Sequence, residues 1–395
     1  MGKILLITTK YTKGNDNKWL TNEIAEYASA QGNEVNVLSL NWQSYENGTE
    51  NYNSNGVNVI RHSLPKFFYR KNFLCSILKL SFFSIVSLLK FRKKIKKNDV
   101  ILITSPCIAT WALCFIKGRS SNVLILWDFF PYFMSGFWVG IKRRITPLLS
   151  LVEGFLYNQF QSIGVMTPGY EKFLKEKFIL KDGIEIFHFP LWTNVEKKKE
   201  INKAVLRNKL GFSATDFILI YGGAISKVQQ LDNLMRLAEM TLADKKLKYL
   251  IVGGGGDYSK IKNIINEKNL VNVTLLDSVS RVQYEEYIAM SDLGFVSLSQ
   301  KHKVPSFPSK SIDYFKVSLP ILASIDDVTD YGYILEYEIK GGISVMAGDV
   351  SALHEKLLYL MNNPDILLEM GGNGRKYYEN NMNISDVYNR LKCHF

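Results

Sequence analysis

The chain has 395 residues, of which 47% are hydrophobic, so it can bury two cores of ordinary size. Its four cysteines have no C-x-x-C spacing, which excludes a zinc or redox pair of that kind and favours reduced, buried thiols. They are Cys75, Cys107, Cys114 and Cys393. Five scattered histidines without H-E-x-x-H, together with the lack of a D-x-D pair, leave no metal motif visible, so we expect no metal ion.

The first half of the chain alternates strand-like apolar runs with helical stretches. The runs cover residues 3–8, 34–38, 57–61, 100–104 and 122–127. This alternation predicts an α/β unit with a parallel sheet, and the series restarts at residue 217. The amino-terminal MGKILLITTKYTKG lacks the long apolar core and cleavage site of a signal peptide, so we expect a cytoplasmic protein.

The excess of positive charge is concentrated in one segment. The net charge is +12, and residues 61–97 alone hold eleven Lys or Arg and no Asp or Glu. Because residues 67–89 are strongly apolar, a helix lying on an anionic membrane fits this segment better than nucleic acid does. Lys79 interrupts the apolar run, which disfavours a membrane-spanning helix. A buried helix with a basic end is the alternative.

An aromatic cluster, FFPYFMSGFWVG, occupies residues 129–140, just past the strand predicted at 122–127. Loops at this end of a parallel sheet face the ligand crevice. The cluster either packs under the domain or dips into lipid beside the active site, where Phe137 and Trp138 suit the interface. Asp128, which ends the strand, is our candidate for an acceptor-side catalytic group, with a turn-capping aspartate as the alternative.

The second half opens with two patterns of strand, glycine turn and helix. Residues 217–221, FILIY, run into Gly222 and Gly223, and Lys227 precedes the next predicted helix. Residues 249–252 end in four glycines that begin at Gly253. Glycines let a backbone approach a ligand closely, and a lysine near a helix start can reach a phosphate oxygen. Neither the Rossmann G-x-G-x-x-G fingerprint nor the P-loop motif is present.

Residues 304–323, VPSFPSKSIDYFKVSLPILA, predict a loop, a helix start and a buried strand. Pro308 and Ser309 predict a helix start whose free N–H groups attract an anion. Lys310 adds a positive charge there, and Asp313, one turn further on, is placed to accept hydrogen bonds from sugar hydroxyls. This combination suits a nucleotide diphosphate, and the alternative is a capped helix with a solvated lysine.

Several segments, in order, resemble the donor-binding half of family 4 retaining glycosyltransferases of the GT-B fold, in the bacterial O-antigen and capsule branch. They are YGGAISKVQQLDNL (221–234), KYLIVGGGG (248–256), VNVTLLDSVSRVQYEEYIAMSDLGFVSL (271–298), PSKSIDYFKVSLPILA (308–323) and GGISVMAGD (341–349). A thinner resemblance covers KILLITTKY, WDFFP (127–131) and FHFPLWTN (187–194). It implies an α/β protein of two Rossmann-like domains facing a central cleft, with a carboxyl-terminal helix that returns to the first domain.

The resemblance also implies roles for individual residues. It implies that Gly223 and Lys227 hold the donor diphosphate and that Asp313 grips the ribose. Ser309 and Lys310 match the phosphate-facing helix start. The donor-binding set is Gly222, Gly223, Lys227, Gly253, Arg281, Ser306, Pro308, Ser309, Lys310 and Asp313, and the catalytic set is Asp128 and Lys227. Within it, Arg281, placed in the turn after the strand 273–276, is a weaker match, with a solvated arginine as the alternative.

Three departures from the family's pattern affect the sugar more than the diphosphate. Asp313 replaces the family's usual glutamate, which shortens its reach by one methylene. Pro305 stands at the first carboxylate of the Glu-x7-Glu pair, which leaves recognition of the sugar hydroxyls unassigned and makes Ser306 the candidate substitute. Ala224 and Ser226 stand where this branch often has Asn and Gly.

We therefore expect an acceptor-binding domain over residues 1–192, with a membrane-associating segment at 67–97. A charged linker over 193–203 leads to a nucleotide-sugar-binding domain over 204–376. Residues 377–395 are expected to form a helix that packs back on the first domain.

The expected activity is transfer of a sugar, an N-acetylhexosamine derivative, from a UDP-sugar to a polyprenyl-diphosphate-linked saccharide of O-antigen or capsule. We expect a peripheral protein on the cytoplasmic face of the inner membrane, with an anionic membrane surface as partner, no cofactor and no nucleic acid. A UDP-N-acetylhexosamine epimerase of the GT-B fold and a catalytically lapsed membrane-assembly partner are the alternatives. A nicotinamide oxidoreductase is disfavoured because the glycine fingerprint is absent.

Overall fold

The computed structural model describes residues 2–14, 18–42, 48–70, 73–117, 121–137, 139–197 and 201–395, without the side chains of Phe73, Ile141 and Lys142. The chain divides into two compact units, one of Met1–Asn194 with Ile384–Phe395 and the other of Val195–Asn383. The predicted linker 193–203 spans this boundary. Its residues 198–200, and Trp138 of the aromatic cluster, lie outside the described residues.

The first unit is built on one sheet of eight strands. They are β1 (Lys3–Thr8), β2 (Glu34–Leu40), β3 (Glu50–Ser54), β4 (Val57–His62), β5 (Val100–Thr104), β6 (Ser121–Leu126), β7 (Ser162–Val165) and β8 (Glu185–His188). The order is β3-β4-β2-β1-β5-β6-β7-β8, with parallel pairing except between β3 and β4. The prediction of a parallel sheet is therefore wrong at β3, whose polar sequence ENYNS contains no apolar run to recognise.

The helices of the first unit flank this sheet. They are α1 (Leu20–Ala30), α2 (Phe73–Ile95), α3 (Trp111–Cys114), α4 (Tyr132–Ser135), α5 (Ile141–Arg144), α6 (Thr146–Tyr157) and α7 (Pro168–Lys177), with 3-10 turns at Lys66–Tyr69 and Cys107–Thr110.

Helix α2 contains most of the basic, apolar segment. By length and composition alone, Leu74–Ile95 could cross a membrane. However, Phe83 and Phe91 are buried against His62 of β4, with ring centroids 5.5 and 5.2 Å from the imidazole. The Lys79 ammonium donates to the Trp42 carbonyl at 2.6 Å. One face of α2 thus belongs to the core, as the alternative of a buried helix predicts, while the opposite face exposes large apolar side chains. Contact of that exposed face with a membrane stays a prediction.

Two smaller predictions have mixed outcomes. Phe129, the first residue of the aromatic cluster, is fully buried and contacts Phe173 with ring centroids 4.7 Å apart, so the cluster begins by packing under the domain. Val139, near the end of the cluster, is exposed.

The expectation of buried thiols is correct for three cysteines and wrong for Cys393, which follows the last helix and is exposed.

The second unit has a parallel sheet of six strands. They are β9 (Phe217–Gly222), β10 (Leu247–Val252), β11 (Val273–Leu276), β12 (Leu293–Ser297), β13 (Ile321–Ile325) and β14 (Gly342–Met346). The order is β11-β10-β9-β12-β13-β14, so the direction of winding reverses between β9 and β12.

The helices of the second unit cover this sheet. They are α8 (Lys203–Lys209), α9 (Asp232–Met240), α10 (Tyr258–Glu267), α11 (Arg281–Met290), α12 (Lys310–Lys316), α13 (Tyr331–Tyr333), α14 (Val350–Met361) and α15 (Pro364–Asn381), with a π-helical stretch at Ile334–Ile339.

The returning helix begins later than predicted. Residues 377–381 still belong to α15, where the buried Tyr378 hydroxyl accepts a hydrogen bond from the Glu196 N–H within the second unit. A separate helix, α16 (Ile384–Lys392), packs on the first unit. It buries one face there because its apolar residues have helical spacing: Ile384, Val387, Tyr388 and Leu391. Asn33 donates to the Tyr388 hydroxyl at 2.8 Å.

Candidate functional site

The candidate site lies at the carboxyl ends of β9 and β12 in the second unit. Open α/β sheets bind ligands where the winding reverses, which here is between these two strands. The loops that follow them are linked, because the Ser299 N–H donates to the Val228 carbonyl at 2.7 Å.

The two glycine loops pack backbone against backbone. The Gly223 N–H donates to the Val252 carbonyl at 2.9 Å, and the Ile225 N–H donates to the Gly254 carbonyl at 2.8 Å. A Cβ on Gly253 would lie 1.9 Å from the Gly223 carbonyl oxygen, and Gly253 has a φ of +151°. Close packing therefore requires glycine at position 253, while its predicted contact with the donor stays a prediction.

A tyrosine separates the two strands beneath the first glycine loop. The Tyr314 hydroxyl accepts a hydrogen bond from the Gly222 N–H at 3.3 Å and donates to the Phe295 carbonyl at 3.2 Å. Pairing of β9 with β12 reaches only as far as Ile220 and Gly294. A Cβ on Gly222 would lie 2.2 Å from the Tyr284 ring, so this glycine also makes room for an aromatic side chain.

Lys310, the first residue of α12, is directed at the first glycine loop. A Cβ on Gly223 would lie 3.2 Å from the Lys310 Cε, and the Lys310 Nζ lies 5.0 Å from the centroid of the Tyr221 ring. Burial lowers the pKa of Lys310 to about 8, against the opposing attraction of Asp313. Within the described residues, this half-buried ammonium has no hydrogen bond. Because a buried cation without hydrogen bonds is costly, an anionic ligand would stabilise it.

Lys227 is placed differently. It is exposed in the turn of residues 226–229, which is closed by a hydrogen bond from the Gln229 N–H to the Ser226 carbonyl at 3.0 Å. The next helix begins only at Asp232, so Lys227 does not adjoin a helix start. Its predicted role in phosphate binding therefore rests on the reach of its side chain from the turn.

Asp313 lies at one end of a chain of ion pairs. Its Oδ1 accepts a hydrogen bond from the Arg281 Nη2 at 2.5 Å, and the Arg281 Nε donates to Glu285 at 3.1 Å. Glu285 also accepts a hydrogen bond from the Lys316 ammonium at 2.8 Å. Asp313 Oδ2 has no hydrogen bond within the described residues, and the predicted contact of Asp313 with the ribose stays a prediction.

The structure differs from the sequence prediction at Arg281 and at the cap of α12. Arg281 is the first residue of α11, capped by Ser280, instead of part of a turn. Ser309 precedes α12 as predicted, but its backbone is already helical, with φ −60° and ψ −20°, and its side chain makes no capping hydrogen bond. Pro308 closes the first turn through its carbonyl, which accepts a hydrogen bond from the Ser311 N–H at 3.0 Å.

Ser306, beside Pro305, is held from two sides. Its hydroxyl is 2.6 Å from His302 Nε2, and its N–H donates to the Thr329 hydroxyl at 3.0 Å. Burial lowers the pKa of His302 to about 4, so the imidazole is neutral near pH 7. A fixed neutral serine at this position offers a hydrogen bond to a sugar hydroxyl without the charge of the family's carboxylate.

Asp128 lies in the first unit, directly after β6. The N–H groups of Trp127 and Asp128 both donate to the Ser105 hydroxyl at 3.0 Å. The Asp128 side chain itself is exposed and has no hydrogen bond within the part of the chain that the structure describes. The Ser105 hydroxyl thus caps this turn, and the Asp128 carboxylate does not.

Sequence reasoning missed two further members of the chain of ion pairs that ends at Asp313, and it missed the aromatic residues beneath the loops. Glu285 and Lys316 lie on α11 and α12, whose helical patterns carry no sign of which charges face each other. Tyr284 and Tyr314 look like ordinary core residues. The one available signal was glycine at position 294 inside an apolar strand, since a Cβ there would lie 2.6 Å from the Tyr314 ring.

Comparison with known families places this site in context. Residues 202–377 match the family described as "Glycosyl transferases group 1". This range lies within the second unit and contains both glycine loops and α12.

Relatives extend the similarity beyond that domain. The chain is 24% identical over 338 residues to a putative colanic acid biosynthesis glycosyl transferase of Escherichia coli, covering 80% of this chain and 81% of the relative. It is 27% identical over 275 residues to the UDP-N-acetylglucosamine–N-acetylmuramyl-(pentapeptide) pyrophosphoryl-undecaprenol N-acetylglucosamine transferase of Caldanaerobacter subterraneus subsp. tengcongensis, covering 62% and 70%.

A solved structure supports the fold of the whole chain. The structure of Anabaena Alr3699/HepE, in complex with UDP and glucose, superposes with a TM-score of 0.70 at 13% identity, covering 99% of this chain and 98% of the other. The prediction of two Rossmann-like α/β domains is thereby confirmed. The chain has the GT-B fold, and its residues 202–377 match the family of group 1 glycosyl transferases.

Proposed function

We propose that the chain transfers a sugar from a UDP-sugar to a polyprenyl-diphosphate-linked saccharide during assembly of a bacterial surface polysaccharide. The observation that carries this proposal is Lys310, a half-buried ammonium directed at Gly223 within the matched domain. The UDP bound in the Anabaena structure and the name of the Caldanaerobacter relative support the donor and acceptor classes. We further propose an N-acetylhexosamine derivative as the sugar, retention of anomeric configuration and no requirement for a metal.

The proposed sugar transfer requires the protein to bind the departing diphosphate and neutralise its charge. Negative charge develops on the leaving phosphate oxygen as the bond to the sugar breaks, and cations fixed at that place stabilise the transition state. In this proposal Lys310 and Lys227 contact the diphosphate. Asp313 Oδ2 accepts the ribose hydroxyls, and Arg281 fixes the orientation of the Asp313 carboxylate. Asp128 is the acceptor-side group of the first unit.

Mass spectrometry of reaction products tests this function. The enzyme is incubated with a panel of UDP-sugars and polyprenyl-diphosphate-linked saccharides, and a product heavier by one sugar residue is expected for one pairing. Epimerised UDP-sugar, or UDP binding without any product, would contradict the proposal and favour the epimerase or the lapsed homologue.

Asp313→Asn tests the proposed ribose contact. The variant keeps the shape of the side chain but loses the charge, so UDP binding should weaken by about 1–2 kcal/mol, or roughly five- to thirtyfold. Isothermal titration calorimetry measures this change. Asp327→Asn is the matched control, because Asp327 is exposed and pairs with Lys303 at 2.7 Å. Equal UDP affinity for both variants would move the ribose contact to another residue.

We also propose that residues 67–97 dock the protein on anionic lipid at the cytoplasmic face of the membrane. The basic end of this segment is exposed and consists of Arg92, Lys93, Lys94, Lys96 and Lys97. Such residues contribute about 1 kcal/mol each near an anionic surface.

Changing the five residues of this basic end to Ser should sharply lower co-sedimentation with phosphatidylglycerol vesicles and leave UDP binding intact. The control changes Lys172, Lys175 and Lys177 to Ser, since these are exposed lysines on α7 of the same unit. If the five-residue variant sediments like the parent, the basic end does not face lipid.

A further inference from the structure

An apolar groove of about 500 Å³ opens on the first unit between α2 and α6. Its walls include Phe82 and Ile85 of α2 and Phe155 of α6. Trp111, the first residue of α3, and Phe115, which directly follows α3, also line it. The Trp111 Nε1 is already bound, because it donates to the Leu80 carbonyl at 3.2 Å. The groove therefore presents hydrocarbon and aromatic surface, with the main polar group of its wall satisfied internally.

The helices on both sides of the groove expose apolar residues around it. On α6, Leu148, Leu151 and Phe155 are 62%, 69% and 58% exposed, and their spacing puts them on one face. On α2, Leu74 and Leu89 are 66% and 65% exposed. An outward apolar face of this extent on two neighbouring helices marks an interaction surface.

The charges around the groove favour an anionic bilayer as the partner. Exposed Arg143 and Arg144 precede α6, and the exposed Lys90, Arg92 and Lys93 end α2. The one acidic residue of α6, Glu153, points inward and accepts hydrogen bonds from the N–H groups of Cys107 and Ile108 at 2.6 and 2.9 Å. Cations therefore border the apolar face, and α2 and α6 direct no carboxylate outward.

We propose that this groove binds one acyl chain of an anionic phospholipid, so that α6 and α2 together form the membrane-facing surface. The chain lies between Phe82 and Phe155 and against Trp111, while the basic residues contact the phosphate headgroups. The inference extends the proposed membrane association and is independent of the proposed sugar transfer, which UDP binding and product analysis test separately.

Trp111 gives a direct test, because bromine atoms quench tryptophan fluorescence on contact. The protein is mixed with vesicles of phosphatidylglycerol that carries bromine on its acyl chains, and with unbrominated vesicles as reference. Quenching by brominated lipid is expected in the parent, and Trp111→Phe should lose a large part of it. Equal quenching in the parent and in Trp111→Phe would overturn the proposal.

A second variant tests the groove without depending on fluorescence from Trp111. Val152→Ser with Phe155→Ser should lower vesicle partitioning by about ten- to a hundredfold, and the loss should persist at high salt, because apolar burial is insensitive to salt. Leu368→Ser is the control, since Leu368 is an even more exposed apolar residue but lies in the second unit. Unchanged partitioning of the double variant with intact UDP binding would overturn the proposal, as would a parent dimer that this variant converts to monomer.

Discussion

Replacing Lys310 with Ala should weaken UDP binding by about 1.5–3 kcal/mol, or roughly ten- to a hundredfold, because the change removes the proposed charge-assisted contact to the diphosphate. The effect should exceed that of Lys227→Ala. Lys310 is half-buried beside Gly223 and Tyr221, where an ion interacts strongly, whereas Lys227 is solvated in its turn. Calorimetric titration with UDP measures both changes, and Lys303→Ala supplies an exposed lysine of the preceding loop as control.

The pH dependence of UDP binding gives the same assignment a second readout. Burial lowers the pKa of Lys310 to about 8, so the unliganded protein loses this positive charge as the pH rises through 8. UDP affinity should therefore fall between about pH 7.5 and 9.5, where the phosphate of UDP is already ionised. Lys310→Arg should abolish this fall because a guanidinium stays charged. A parent affinity that is constant over this range, or UDP affinity unaffected by Lys310→Ala, would contradict the assignment.

The sequence predicted strands that carry a clear run of apolar residues and missed strands that do not. The runs at 3–8 and 100–104 match β1 and β5 residue for residue, since a parallel strand covered by helices needs a continuous apolar run. The strand β7 is buried but was missed, because Ser162 and Gly164 interrupt its apolar residues. The strand β3 has alternating polar side chains at the edge of its sheet, so only its pairing with β4 defines it. The start of α16 was predicted too early because α15 and α16, which belong to different units, follow each other within a few residues.

The candidate site was predictable where a backbone pattern signals it. Glycine turns after strands and a lysine at a helix start are visible in sequence, and the structure brings Lys310 to Gly223. The charged neighbours of these residues could not be predicted, because they lie on separate helices. Arg281 and Asp313 are 32 residues apart, and nothing local to either indicates that they form an ion pair. Their pairing depends on how α11 and α12 pack.

Replacing Gly253 with Ala should destabilise the second unit by roughly 3–5 kcal/mol and abolish UDP binding. The added Cβ would lie 1.9 Å from the Gly223 carbonyl oxygen, at a φ of +151° that L-residues rarely adopt. Relief of this clash must move the first glycine loop away from the second and break the hydrogen bond between the Gly223 N–H and the Val252 carbonyl. Because Gly223 adjoins Lys310, the displacement would also alter the proposed diphosphate site.

Gly256→Ala is the matched control within the same run of four glycines. A Cβ at this position has no described heavy atom within 4 Å, so the variant should fold and bind UDP like the parent. Thermal unfolding, followed together with UDP titration, separates the two variants, and a loss of 3–5 kcal/mol corresponds to a midpoint lower by about 10 °C for a unit of this size. A Gly253→Ala protein as stable as Gly256→Ala would show that the two loops are not packed backbone against backbone. If instead it were destabilised yet bound UDP normally, the first glycine loop would not hold the donor.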